Sequence, residues 1–135
     1  MFVFFLFAAA CTGVVPDRAV YTFFDAMTQG DANRMAAVLD SSVFLGRSGA
    51  PELDSLFPGQ PFEARRNRVL LELTGGNLKG LWLSKKIIVG RTERRGDTAG
   101  VEVSFIDQET DKQYFTRFRL AKKADGWRII SFKSE

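Results

Sequence analysis

Histidine is absent from the 135 residues, and cysteine occurs once. Without an imidazole there is no Ser-His-Asp or Cys-His relay, and no metal site that needs histidine. A lone cysteine excludes an internal disulfide and any thiolate cluster. The first ten residues, MFVFFLFAAA, lack any charged side chain. No internal repeat or low-complexity linker divides the rest, and the length fits one domain. What is present suits a folded unit: 45% apolar and 26% charged residues, with 13 Phe and two Trp to build a core.

Met1 to Val15 is almost wholly apolar and ends at Pro16-Asp17. A membrane-spanning helix wants about 20 such residues. The shorter run suits the apolar region of a secretory signal. The small residues Ala8-Ala9-Ala10 lead directly into Cys11. This pattern resembles the lipobox of bacterial lipoproteins. The resemblance implies cleavage after Ala10 and a diacylglyceryl group on the Cys11 thiol. The expected organisation is then a signal segment over 1–10, a short lipidated tether over 11–15 and a single α+β domain over 16–135. A plain signal peptide or short anchor with an incidental Cys11, and a buried core strand, are the other readings of the same residues.

Ala19, Val20, Phe23, Phe24 and Met27 repeat at helical spacing and predict a helix over 17–29. Gly30 suits its left-handed stop, and Asp31 suits the N-cap of a second helix over 32–39. Met35, Val38 and Leu39 would face the same core. A short strand is expected at Val43–Leu45, a helical turn at 51–57 and a third helix over 62–73, ended by Gly75-Gly76. The remainder is expected to form strands. Leu81–Glu93 is rich in Ile, Val and Leu; Val101, Val103 and Phe105 alternate with polar residues, as do the residues from Tyr114 to Leu120. Tight turns are expected at Arg94–Asp97, Gln108–Asp111 and Ala124–Gly126, with a last strand over Trp127–Lys133. Helices followed by an antiparallel meander make an α+β domain, its curved sheet covered on one face by helices.

The run from Phe23 through Gly30-Asp31 to Leu39 resembles the opening helix pair of the nuclear-transport-factor-two-like superfamily. The ending Asp125-Gly126-Trp127-Arg128-Ile129 resembles its last hairpin. That superfamily includes ketosteroid-isomerase-like and SnoaL-like proteins with a cone-shaped, cystatin-like fold. The resemblance implies a pocket between helices and sheet, used by some members for catalysis, by many for binding and by others as an assembly surface. It also implies that a homodimer would form through the sheet. Ketosteroid-isomerase-like members place a carboxylate base just after the first short strand, where this chain has Val43-Phe44-Leu45-Gly46. The resemblance makes Tyr21 the expected counterpart of their helix-borne tyrosine; a core-rim tyrosine with its hydroxyl in water is the plainer reading. A hydrogen-bond donor without a base does not abstract a proton.

Asp107, Glu109 and Asp111 alternate in a turn, but with no glycine at the bend and no later bidentate acid they favour a solvated loop over a cation site. No metal or cofactor is expected. Charge is distributed unevenly: residues 1–61 carry net −3 and residues 62–135 carry net +6. Arg117 and Arg119 share a strand face and form a basic patch if Arg128 lies across from them; a solvated sheet face balanced by Glu93 and Glu102 is the plainer reading of the same residues. Such a patch suits anionic headgroups, an acidic protein or another polyanion. Nucleic acid is not expected as a partner of an exported protein.

The residues therefore predict an extracytoplasmic binding or interaction module, lipid-anchored to the bacterial envelope through Cys11, without catalysis. Its partner would be a small ligand or an envelope protein. The pocket candidates are Tyr21, Phe24, Phe105, Tyr114, Phe118 and Trp127. Two alternatives stand beside it: a small pocket enzyme of the isomerase, dehydratase or cyclase type, and a subunit of an envelope or secretion assembly.

Overall fold

The computed structural model describes residues 15–40 and 61–134. The expected leader, Cys11, the strand at 43–45 and the turn at 51–57 lie outside them. Within them, Asp17–Gln29 forms helix α1, Ala32–Val38 forms α2, Phe62–Gly75 forms α3 and Asn77–Leu83 forms α4. Strands β1 (Lys86–Arg95), β2 (Thr98–Ile106), β3 (Gln113–Lys123) and β4 (Gly126–Ser134) follow. They pair as an antiparallel meander in the order β1-β2-β3-β4. The helices pack on one face of this sheet, as expected for the α+β class.

Helix α1 buries Ala19, Val20, Phe23, Phe24, Ala26 and Met27 and leaves Arg18, Tyr21 and Asp25 in solvent. Gly30 ends it at φ 68°. The Gly30 N–H donates to the Met27 carbonyl and the Asp31 N–H to the Ala26 carbonyl, at 3.2 and 2.9 Å. This closure satisfies carbonyls that the last turn would otherwise orphan. The Asp31 carboxylate then accepts the Arg34 N–H at 3.1 Å and opens α2. One residue thus closes the first helix and starts the second. Beyond α2, Leu39 forms a parallel bridge with Ile129, and the Asp40 N–H donates to the Ile129 carbonyl at 2.9 Å. The helical layer is tied to β4 by backbone as well as by packing.

One expectation is corrected. Leu81 does not begin a strand: Asn77–Leu83 is helical, and β1 starts at Lys86. Leu78 and Trp82, four residues apart, put both large side chains on one buried face. The Glu72 carboxylate accepts the Leu78 N–H at 3.3 Å and so caps the new helix from the end of α3. Gly76 makes this approach feasible, because a Cβ there would lie 2.7 Å from Glu72 Oε1.

The sheet is bent by two irregularities. Val89 pairs with Val103 and Thr92 with Val101, so Gly90 and Arg91 oppose Glu102 alone. Arg119 pairs with Ser131 and Leu120 with Ile129, which leaves Ile130 as an extra residue in β4. Each insertion increases local twist and bends its strand. The β1–β2 hairpin turns in two residues, with Gly96 at φ 60° in the first central position. Facing the helices are Val101, Val103 and Phe105 of β2, Phe118 and Leu120 of β3, and Ile129 and Phe132 of β4.

Phe118 has no exposed surface. Phe118→Ala should cost about 3–5 kcal/mol of stability, read as a lowered denaturant midpoint at unchanged slope. A slope change, or a loss under 1 kcal/mol, would contradict this packing.

The β2–β3 loop generates an acid-dependence prediction. The Asp107 carboxylate accepts the Glu109 N–H at 3.0 Å and the Thr110 N–H at 3.4 Å. The Glu109 hydrogen bond is the leading cause that holds the Asp107 pKa below its ordinary value of 3.8. A depressed carboxylate stabilises the folded state above its unfolded pKa and loses that contribution as pH falls through the folded value. The Glu109 and Thr110 amide resonances should therefore titrate with a midpoint below 3.8. A midpoint at or above it would exclude these bonds in solution.

Candidate functional site

Two places deserve comparison: the space between helices and sheet, and the sheet face turned away from the helices. Aromatic rings occupy the first. The Phe23 ring centroid lies 5.1 Å from Phe24, 5.3 Å from Phe118, 5.9 Å from Phe132 and 6.0 Å from Trp82. Trp82 in turn lies 5.2 Å from both Phe105 and Phe132. Tilted and edge-to-face contacts at these separations are favourable ring geometries.

Of the six pocket candidates, Phe24, Phe105 and Phe118 come together in this cluster, with Phe24 at 6.1 Å from Phe105 and 5.7 Å from Phe118. The other three do not join it. Trp127 is buried toward the opposite end of the sheet, with the Arg94 guanidinium 5.1 Å from its ring centroid. Tyr21 and Tyr114 are 55% and 45% exposed, and Lys85 Nζ sits 5.6 Å from the Tyr114 ring centroid. Trp82 and Phe132 join the interior without being among the expected pocket residues. The four-residue spacing of Leu78 and Trp82 was the available signal for the first.

Two carboxylates of the helical layer are engaged in ion pairs. Asp25 pairs with Arg34 at 2.7 Å, and Asp40 pairs with Lys123 at 3.1 Å. Among the described residues, the buried polar side chains are Thr74 and Thr116, and Thr74 Oγ1 donates to the Leu70 carbonyl at 2.7 Å. No group of three or more Asp, Glu, Cys or His among the described residues could hold a metal ion. No helix among them is long and apolar enough to cross a membrane.

The opposite sheet face carries the arginines. Register places Glu93, Gly100, Arg119 and Ser131 in one row across all four strands, and Arg95, Thr98, Ala121 and Arg128 in the next. Gly100 contributes no side chain to the middle of the first row. Arg117 leans over it, so that a Cβ at Gly100 would lie 3.6 Å from Arg117 Cδ. The result is an open groove of about 580 Å³ with Gly100 at its floor and Arg95, Arg119 and Ser131 along its sides.

Beside the groove, Arg117 lies 3.5 Å from Glu93 and 3.6 Å from Glu102. Arg91 lies 3.8 and 3.9 Å from the same two carboxylates. These four side chains balance one another. Of the expected basic patch, Arg117 and Arg119 share the groove. Arg128 stands on the same face and bonds to Asp125, whose pKa is lowered chiefly by that hydrogen bond. Arg95 joins the patch through the two-residue hairpin, a neighbour that strand alternation in β3 alone does not reveal.

No family model matches the chain, and no curated protein matches it. Solved structures do. A de novo designed protein with a curved β-sheet is 16% identical with a TM-score of 0.50, covering 88% of this chain and 97% of its own. An NTF2-like protein of Campylobacter jejuni, provisionally named a transpeptidase, is 18% identical at TM-score 0.50 over 84% of this chain and 95% of its own. An NTF2-like family protein of Streptomyces avermitilis, provisionally named a dehydratase, is 18% identical at TM-score 0.50 over 89% and 97%. The domain has the NTF2-like fold. Likeness at this level of identity speaks to architecture, and a shared fold does not fix a function.

The Arg117–Glu102 pair is solvent-exposed, so a double-mutant cycle should return a coupling below about 1 kcal/mol that vanishes at high salt. A larger, salt-resistant coupling would show that the quartet is structural.

Proposed function

We propose that the protein is a non-catalytic binding module of the bacterial envelope, held at a membrane surface by an acylated Cys11. The observation that carries the non-catalytic part is the ring cluster of Phe23, Phe24, Trp82, Phe105, Phe118 and Phe132. These side chains fill the helix-to-sheet space where a pocket enzyme of this fold would place its substrate. A general base for such chemistry needs a carboxylate poised beside free volume. Asp25 and Asp40 instead stand in ion pairs with Arg34 and Lys123. The names of the Campylobacter and Streptomyces neighbours favour the pocket-enzyme alternative, and turnover of a small organic molecule by the purified domain would establish it.

The anchor rests on the uncharged run ending in Ala8-Ala9-Ala10-Cys11. Two acyl chains supply stable membrane attachment, at about 0.8 kcal/mol per buried methylene. Intact mass of the protein extracted from host membranes should give a chain that starts at Cys11 and carries added lipid. Cys11→Ser should move it from the membrane to the soluble fraction. An unprocessed Met1 chain in the soluble fraction would reject the anchor.

A further inference from the structure

We infer that the groove over Gly100, on the sheet face away from the helices, is a binding site for a small soluble organic oxyanion carrying carboxylate or phosphate groups. The inference rests on the binding-module reading and assigns it a ligand class.

Four features support it. The first is charge. Arg91, Arg117, Glu93 and Glu102 compensate one another, whereas Arg95 and Arg119 have no carboxylate partner among the described residues. Two guanidiniums thus border one groove with their fork of donors uncommitted, and that fork matches the geometry of carboxylate and phosphate. The second is shape. A volume of about 580 Å³ exceeds what a bare inorganic ion needs and falls within the range of small-molecule sites, roughly 300–1,000 Å³.

The third feature is the lining. Gly100 and the half-buried Ile130 give the floor an apolar part on which an organic body can lie, and the Ser131 hydroxyl stands beside Arg119. Glu93, held by Arg117, is placed to accept from a hydroxyl of the same ligand. The fourth weighs against a rival occupant, the homodimer through the sheet. A second copy docked on this face would bring two further uncompensated arginines against the first two, and like charges brought together across an interface are costly.

The test is a titration of the full 15N-labelled chain in neutral detergent with citrate and, separately, glycerol 3-phosphate. The expected result is saturable shifts at the Gly100, Arg119 and Ser131 amides with at least one of them. Arg119→Gln should weaken that binding about tenfold or more, because a charge-assisted donor pair is lost. Lys112→Gln, in the β2–β3 loop, should leave it unchanged. Gly100→Ala provides a second variant: the added methyl makes only ordinary contacts with Arg117, so the fold is retained while the floor rises. It should weaken binding at an unchanged melting temperature.

Non-saturable shifts with both anions, or equal binding by wild type and Arg119→Gln, would overturn the site. Arg119-dependent binding to phosphatidylglycerol vesicles without binding of either soluble anion would overturn the ligand source and assign the groove to lipid headgroups. Neither failure bears on the anchor, which the Cys11 measurements judge separately.

Discussion

The packing of Phe23 against Phe118 and Phe132 is the contact on which the rest depends. Phe23 lies in the middle of α1, Phe118 in β3 and Phe132 in β4, and all three are fully buried. Their rings join the first helix of the described residues to strands β3 and β4, a long-range closure made by three side chains. Each favourable aromatic pair adds about 0.5–1.5 kcal/mol beyond the area it buries. Trp82 and Phe105 extend the contact to α4 and β2. Interiors packed in this way have crystal-like density and few voids. Among the described residues, these rings occupy the space between the helices and the sheet.

Much of this was legible in the sequence. The stripe Ala19-Val20-Phe23-Phe24-Met27 matches the buried face of α1, and Gly30-Asp31 act as the stop and cap that their chemistry suggests. Alternation in β2 and β3 gave the correct inward faces because both strands follow a two-residue period without interruption. Helix α4 was hidden for an identifiable reason. Gly80 and the following Ile87-Ile88-Val89 weigh toward strand in a local reading, whereas the helix is decided by the buried Leu78–Trp82 pair and by a cap from Glu72 in the preceding helix. Tertiary context overrides weak local propensity.

The candidate site was legible in part. Arg117 and Arg119 share a face by simple alternation. Arg95 reaches the same groove only through the hairpin register, and Gly100 matters only because Arg117 leans over it. Size and amphipathic character mark the ring candidates in the sequence. That criterion cannot tell a ring that lines a cavity from one that fills it. Phe24, Phe105 and Phe118 fill the interior, whereas Tyr21 and Tyr114 are exposed because each sits at the edge of its element's buried stripe.

The bulge in β4 links the two faces. Ile129 and Phe132 are three residues apart, and strict alternation would send them to opposite sides of the sheet. Both are fully buried. The extra residue, Ile130, resolves the conflict: Ile129 faces the core, Ile130 and Ser131 line the groove, and Phe132 turns inward again to meet Phe23 and Phe118. The same insertion that completes the aromatic interior therefore supplies two residues of the outer groove. Val89 and Thr92 repeat the device in β1, where the bulged Arg91 joins the charge quartet beside that groove. Closing the interior with Phe132 and furnishing the exterior with Ser131 are one structural event. This is why a sheet whose inner face packs on phenylalanine can still present a shaped, charged surface on its other side.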